Sequence, residues 1–278
     1  MFYATVFRLM AQRPGKLPPN TGVLAHGAFM EMVRQVDPTL STYFHDANQR
    51  KPYTVSPLLG HGSPENEPIR IGAGQEVWMR VSLLDGELFQ VLASYLLDGG
   101  PLPAVQLRDI PFRVVEAQTT PGSHPRAGCT TLDDLFERWT HSNHIPDTVT
   151  LRFLTPTAFR MGKWANGQMR NVLVPDPAPI WKGLRRQWGY AGGFDPGREH
   201  TDWVTENVGL TAHHIKTRLL SFGKYDQVGF EGWATFRAVG AAPPELAYWQ
   251  ALADFAFYAG VGYKTPMGMG QVEVQRDA

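Results

Sequence analysis

The chain has 278 residues, of which 43% are hydrophobic and 12% aromatic, so it can bury the core of one large domain or of two ordinary ones. Its single cysteine, Cys129, excludes a disulfide framework and a cysteine-rich zinc site, and it fits the reducing cytoplasm where we expect the protein. The charges cancel, with 26 basic and 26 acidic residues, and the absence of a signal-like leader and of any run of roughly 18 apolar residues predicts no membrane partner.

The first half of the chain predicts the order β-α-β-β-α-β. The predicted elements are a strand at 2–12, a helix at 22–36 with Asn20 or Thr21 as its N-cap, an extended segment at 52–58, strands within 69–84, a helix at 87–97 and an extended segment at 105–117. Pro38 ends the first helix, and a short helical turn is predicted at 40–44.

The second half repeats this order with insertions. The predicted elements are a short helix at 132–139, a strand at 148–155, a helix at 179–188, extended segments at 208–221 and 229–238, a helix at 244–258 and a strand at 269–275, with loops at 174–179 and 189–200. Two such units predict an α+β protein made of two tandem ferredoxin-like domains, at 1–120 and 147–278, joined by a linker with a short helix at 121–146.

Basic residues are concentrated between positions 151 and 190. They are Arg152, Arg160, Lys163, Arg170, Lys182, Arg185 and Arg186, against Asp176 as the only acidic residue. A local excess of positive charge is typical of a phosphate-binding surface, and it is equally typical of a solvated face without a function.

A glycine-rich segment at 260–270 precedes the last predicted strand. It consists of Gly-Val-Gly, five residues that include Lys264, and Gly-Met-Gly. Paired glycines permit positive φ angles and let a phosphate backbone approach main-chain N–H groups, while Lys264 supplies a charge. The alternative is a tight connection from helix to strand, in which the glycines serve capping and close packing alone.

This segment resembles the C-terminal loop of the Cas6 family of CRISPR endoribonucleases, which belongs to the RAMP superfamily. Two further segments are similar to that family: Ser41 to His45 followed by Lys51 to Ser56, and Thr155 to Phe159. The resemblance implies a tandem ferredoxin-like fold. It also implies a nuclease that cuts CRISPR repeat RNA once per repeat in the precursor transcript, to give guide RNA.

Metal-free RNA cleavage needs a base for the 2′-OH proton, an acid for the 5′-oxygen and positive charge for the phosphorane. By resemblance, His45 and Lys51 match the family's catalytic histidine and lysine, and Met30 stands where many members have a tyrosine. His26, one helical turn before Met30, is a second catalytic candidate, with a packing role on an apolar stripe as the alternative. The expected products carry a 2′,3′-cyclic phosphate and a 5′-OH, and we expect neither a metal nor a cofactor.

Candidate RNA-binding residues lie in two segments. They are Gly260, Gly262, Lys264, Gly268 and Gly270 in the glycine-rich segment, and Arg160, Lys163 and Arg170 on a predicted hairpin. Trp164, on the same hairpin, either stacks on a base or packs in the core. The expected partners are CRISPR repeat RNA and a multi-subunit CRISPR effector complex. The alternatives are a non-cleaving RAMP-type RNA-binding subunit and a small-molecule enzyme on a duplicated ferredoxin-like scaffold.

Overall fold

The computed structural model describes residues 1–45, 51–97, 103–223 and 225–276, without the side chains of residues 42, 43, 45, 96 and 97. The chain forms two compact units, of which the first comprises Met1–Cys129 with Pro266–Gly268 and the second comprises Thr130–Thr265 with Met269–Ala278. None of the described helices is long and apolar enough to cross a membrane.

The first unit holds a mixed set of strands and helices in the predicted order. Its strands are β1 (Phe2–Ala11), β2 (Gly15–Leu17), β3 (Tyr53–Val55), β4 (Ile69–Ile71), β5 (Glu76–Leu83), β6 (Val105–Leu107), β7 (Ile110–Gln118) and β8 (Gly128–Thr130), and its helices are α1 (Gly22–Val36), α2 (Pro38–His45) and α3 (Gly86–Leu97).

The main sheet of the first unit has the order β3-β5-β1-β7-β6, and the pairings between these strands are antiparallel. Along the chain, β1, α1, β3, β5, α3 and β7 follow one another in the order β-α-β-β-α-β. The first and third strands of this path, β1 and β5, lie at the centre of the sheet, as a ferredoxin-like fold requires. Helix α1 buries Phe29 and Val33 in the core of this unit, because residues four apart lie on one helix face.

The second unit repeats the path with longer strands. Its strands are β9 (Thr148–Thr157), β10 (Phe159–Lys163), β11 (Met169–Val172), β12 (Val208–Ser221), β13 (Asp226–Ala238) and β14 (Val272–Gln275), and its helices are α4 (Leu132–Thr140), α5 (Pro177–Tyr190), α6 (Arg198–Asn207) and α7 (Pro243–Ala259). The sheet order β12-β13-β9-β14 again places the first and third strands of the path at the centre. The predicted tandem ferredoxin-like fold is confirmed.

Helix α7 is buried on nearly all sides, and its buried polar side chains Gln250 and Asp254 are hydrogen-bonded. The Gln250 side-chain amide donates to the carbonyls of Pro146 and Thr148 at 2.6 and 3.0 Å. Asp254 accepts hydrogen bonds from the Trp139 indole at 2.9 Å and from Arg276 at 2.5 Å. These bonds tie α4 and the end of the chain to α7, since a buried carboxylate is stable only when it is paired.

The predicted loop at 189–200 is wrong at its end, because helix α6 begins at Arg198. Only His200 and Val204 of this helix are buried, so it lacks the apolar periodicity by which helices are recognised. The last strand is shorter than predicted, since residues 269 and 270 belong to the glycine-rich segment and β14 begins only at Val272.

Candidate functional site

Helix α2 brings the predicted catalytic segment into the first unit. The carboxylate of Asp37 caps this helix by accepting from the N–H groups of Thr39 and Leu40 at 2.8 and 3.1 Å. The helix packs against α1 and buries Phe44. His45 is the last residue of α2, and its side chain lies outside the described part of the structure.

Tyr53 on β3 connects α1 to the end of α2. Its ring is only 1% exposed and lies 5.1 Å from the ring of Phe29 and 5.0 Å from that of Phe44. Its hydroxyl lies 3.1 Å from Nε2 of His26 and 3.3 Å from the sulfur of Met30, within hydrogen-bonding distance of both. Burial raises the pKa of Tyr53 well above its usual range, so the phenol stays protonated at neutral pH.

Lys51 contacts the last turn of helix α2. Its ammonium group donates a hydrogen bond to the main-chain carbonyl of Phe44, the residue immediately before His45. Phe44 therefore contacts Lys51 through its carbonyl and Tyr53 through its ring, and Tyr53 in turn contacts His26. We name this arrangement of His26, Met30, Phe44, Lys51 and Tyr53 the histidine corner.

Sequence analysis did not single out the tyrosine of the histidine corner. Tyr53 lies within the Lys51 to Ser56 segment on which the family resemblance rests, but its partners His26 and Met30 are more than 20 residues away along the chain. The half-buried His26 has a polar partner in Tyr53, which is compatible both with a catalytic role and with a satisfied packing role on the apolar stripe.

In the glycine-rich segment, other backbone atoms lie too close to two of the glycines to leave room for a side chain. All four of its paired glycines have positive φ angles. A Cβ atom on Gly270 would lie 2.1 Å from the carbonyl oxygen of Val261, and one on Gly262 would lie 2.6 Å from that of Ala158. A side chain at either position would have to displace the backbone, so packing alone accounts for these two glycines.

The segment is bonded to the strand-end motif at 155–159. Tyr263 N–H donates to the carbonyl of Ala158 at 2.9 Å, and Gly270 N–H donates to that of Pro156 at 3.1 Å. Val261 N–H donates within the segment, to the carbonyl of Gly270 at 2.8 Å. These N–H groups serve the fold, so a phosphate at this segment would have to use other groups.

Lys264 is held by aromatic rings of the β12–β13 hairpin. Its ammonium nitrogen lies 3.7 Å from the ring centre of Phe222 and 4.0 Å from that of Tyr225, and it also donates to the Tyr225 hydroxyl. Cation–π contacts of this kind stabilise a charge without neutralising it. The ammonium group therefore has a defined position beside the glycine-rich segment.

The hairpin β10–β11 carries the predicted cations of the second unit, and we name it the cationic hairpin. The guanidinium of Arg160 lies 3.8 Å from the ring centre of Tyr263, and that of Arg170 lies 5.1 Å from the ring centre of Trp164. Lys163 is exposed, and Trp164 is 55% exposed. The core-packing alternative for Trp164 is therefore wrong, because its ring lies at the surface of the hairpin.

The basic stretch between 151 and 190 is not one surface. Arg185 is 8% exposed and is paired with Asp195, whereas Arg160, Lys163 and Arg170 of the cationic hairpin face solvent. Within the described ranges, no group of three His, Cys, Asp or Glu residues lies close enough to hold a metal ion.

Two family models match the chain along most of its length. The one described as CRISPR Cas6 N-terminal domain matches residues 1–137, and the one described as CRISPR-associated endoribonuclease Cas6 matches residues 151–272. A CRISPR-associated endoribonuclease Cas6 of Streptococcus thermophilus is 24% identical over 258 residues, which is 92% of each chain.

Solved structures are similar over the whole chain. Thermus thermophilus Cas6 has a TM-score of 0.73 and 28% identity, and the match covers 99% of this chain and 98% of that one. A structure described as a Cas6 product complex has a TM-score of 0.81 and 28% identity, covering 99% of this chain and 100% of that one. In both comparisons, the similarity therefore covers the amino-acid sequence as well as the fold.

Proposed function

Because the chain belongs to the Cas6 family of CRISPR-associated endoribonucleases, we propose that it cuts CRISPR repeat RNA in precursor transcripts without a metal ion. The 2′-oxygen beside the cut attacks the phosphorus, the bond from phosphorus to the 5′-oxygen breaks, and the products carry a 2′,3′-cyclic phosphate and a 5′-OH. The guide RNA that results is then available to a multi-subunit CRISPR effector complex.

The observation that carries this proposal is the convergence of side chains in the histidine corner. Cleavage of this kind needs a group that takes the 2′-OH proton, a group that protonates the 5′-oxygen and a positive charge near the phosphorane. We assign the two proton transfers to His45 and His26, since histidine titrates near neutral pH. We assign the positive charge to Lys51, which is hydrogen-bonded one residue away from His45.

We assign RNA binding to the second unit's exposed cations and to the glycine-rich segment. Arg160, Lys163 and Arg170 of the cationic hairpin present positive charge at the surface, and Trp164 presents an aromatic face on which a base can stack. The remaining RNA-binding residues that we propose lie in the glycine-rich segment: Lys264, Gly260, Gly262, Gly268 and Gly270. Here the glycines let the backbone turn and Lys264 supplies the charge.

The test is incubation of the purified protein with its cognate repeat RNA in EDTA, with analysis of the product termini. We expect one cut per repeat, a 2′,3′-cyclic phosphate and a 5′-OH, and no cut by His45→Ala. His144→Ala, which removes an exposed histidine of the second unit, is the control and should cleave like the wild type.

Each other result has a defined meaning. Loss of wild-type cleavage in EDTA that returns with a divalent cation would contradict the metal-free mechanism. Tight binding of repeat RNA without a cut under either condition would identify a non-cleaving RAMP-type subunit. A protein that neither binds nor cuts repeat RNA would contradict the proposed function as a whole.

A further inference from the structure

Among the described residues, the hydroxyl of Tyr53 has two hydrogen-bonding neighbours, but it has only one proton to donate. Nε2 of His26 lies 3.1 Å from it, and the sulfur of Met30 lies 3.3 Å from it. Tyr53 is 1% exposed and Met30 is 5% exposed, so the hydroxyl is held among protein atoms. The direction of its hydrogen bond therefore depends on the protonation state of His26.

When His26 is neutral and carries its hydrogen on Nδ1, its unprotonated Nε2 is a stronger acceptor than the Met30 sulfur, and the Tyr53 hydroxyl donates to it. When His26 is protonated, both ring nitrogens carry hydrogen, so Nε2–H donates to the Tyr53 oxygen instead. The Tyr53 hydrogen must then turn to another acceptor, and the sulfur of Met30 is within reach at 3.3 Å. A thioether sulfur is a weak acceptor, yet it prevents a buried O–H from being left unpaired.

We propose that Met30 is a positioning residue that lets Tyr53 remain hydrogen-bonded to His26 in both protonation states of the imidazole. This inference rests on the proposed function, in which His26 transfers a proton and so must exist in both states during the reaction. Met30 stands at the position where many family members have a tyrosine. In this chain Tyr53 on β3 supplies the hydroxyl, and Met30 on α1 supplies the sulfur that can accept its hydrogen.

The prediction for a Met30→Leu variant has a definite sign. Leucine conserves the volume but cannot accept a hydrogen bond. The neutral state of His26 loses nothing, because Tyr53 then donates to Nε2. The protonated state leaves the Tyr53 hydrogen unpaired, so the protonated state becomes less favourable. The midpoint of the His26 titration should therefore move to lower pH, by about 0.5 to 1 pH unit for the loss of a weak buried hydrogen bond.

Other ionisable groups also lie on the elements packed against α1. They are Tyr53 on β3 with Lys51 just before it, Tyr43 and His45 on α2, whose side chains lie outside the described part of the structure, and Glu87 and Tyr95 on α3. A variant that alters only the acceptor for Tyr53 keeps all of these groups. Met32→Leu is the matched control, because Met32 is a buried methionine of the same helix, 6% exposed, and the substitution is the same.

The experiment is an NMR titration of the His26 imidazole in the RNA-free protein, for the wild type, Met30→Leu and Met32→Leu. We expect a lower midpoint in Met30→Leu alone. In a Tyr53→Phe background, which has no hydroxyl to satisfy, Met30→Leu should cause no further shift. A midpoint in Met30→Leu equal to that of Met32→Leu, or an undiminished shift in the Tyr53→Phe background, would overturn the proposal.

The pH dependence of the single-turnover cleavage rate then tests whether the hydrogen bonds of Tyr53 affect the reaction. Whether His26 acts as acid or base, the limb of the profile that it controls should move to lower pH in Met30→Leu by the same amount as the NMR midpoint. An NMR shift with an unmoved profile would overturn the positioning role in catalysis. If the wild type does not cleave repeat RNA, the proposed function fails, and the NMR titration still decides how Tyr53 is bonded.

Discussion

The histidine corner of the first unit and the cationic hairpin of the second unit hold their polar groups in opposite ways. In the histidine corner, a buried phenol contacts His26 at 3.1 Å, and Lys51 is bonded to the main chain of α2. In the cationic hairpin, Arg160 and Arg170 lie over aromatic rings at 3.8 and 5.1 Å, and Trp164 is exposed.

The difference fits the roles that we propose for the two regions. Proton transfer needs fixed distances and directions, and buried hydrogen bonds supply both, because a buried donor or acceptor is costly to leave unpaired. Gripping a phosphate backbone needs charges that reach into solvent, and these are screened by salt. A change in the corner should therefore affect the rate of the chemical step, whereas a change on the hairpin should affect affinity.

The largest expected effect is on the chemical step. His26→Ala should slow single-turnover cleavage at saturating RNA by about 100-fold or more, the range for loss of a proton-transfer group. The dissociation constant for repeat RNA should change little, because His26 is bonded to Tyr53 within the first unit. A slow variant that is rescued by raising the RNA concentration would instead give His26 a binding role.

The next effect concerns the stability of the second unit, in which Gly270 lies. Gly270→Ala should lower the free energy of unfolding by about 3 kcal/mol, because the new Cβ meets backbone and the φ angle is positive. Gly240 has the same φ of 67° with nothing near its Cβ position, so Gly240→Ala measures the conformational cost alone, about 1 kcal/mol. Equal losses in chemical denaturation would mean that the segment yields to the new methyl group.

An effect of similar size concerns the response of the second unit to pH. Burial lowers the pKa of His200 to about 4, from a usual value of 6.5. The unfolded state therefore binds a proton first as the pH falls. The stability is complete above about pH 6.5 and declines toward pH 4, by about 2 to 3 kcal/mol.

His200→Phe tests this pH response. Phenylalanine keeps a ring between Trp203 and Tyr248 and removes the titration, so the variant should lose less stability on acidification than the wild type. Tryptophan fluorescence reports the second unit, since seven of the eight tryptophans lie there. Parallel pH curves for the two proteins would mean that His200 has the same pKa in the folded and the unfolded state, and would contradict this prediction.

The smallest expected effects are on RNA affinity. Arg170→Ala or Trp164→Ala should each weaken binding of repeat RNA by about 5- to 10-fold, because each removes one of the phosphate or base contacts that we propose. Only Arg170→Ala should also reduce the slope of affinity against salt concentration, since it alone removes a charge. Filter binding at several salt concentrations separates the two. Phe194→Ala, at a ring that is 78% exposed, is the control for loss of a surface aromatic residue.

Local signals predicted much of this fold. Proline at position 38 and the apolar spacing predicted α1 at 22–36 with the bounds that the structure has, and β12 at 208–221 was predicted equally well. Contacts between residues distant in sequence were not accessible. The hydroxyl of Tyr53 meets His26 and Met30, and no spacing rule predicts such a meeting.

The glycine-rich segment shows the same limit. Its spacing singled it out, but only the structure shows that Gly262 and Gly270 are required by carbonyls of Ala158 and Val261. The surface position of Trp164 was likewise undecided by sequence, because an aromatic residue on a predicted hairpin is compatible with either environment.

The central claim is that the histidine corner acts in the chemical step and the cationic hairpin in RNA affinity. Its most direct test is the rate of cleavage at saturating repeat RNA, measured by rapid quench for the single variants His45→Ala and Arg170→Ala. The account predicts that His45→Ala binds RNA like the wild type and cleaves at least about 100-fold more slowly. Arg170→Ala should cleave at the wild-type rate once RNA is saturating. A normal rate in His45→Ala, or a large loss of rate in Arg170→Ala that saturation does not restore, would contradict it.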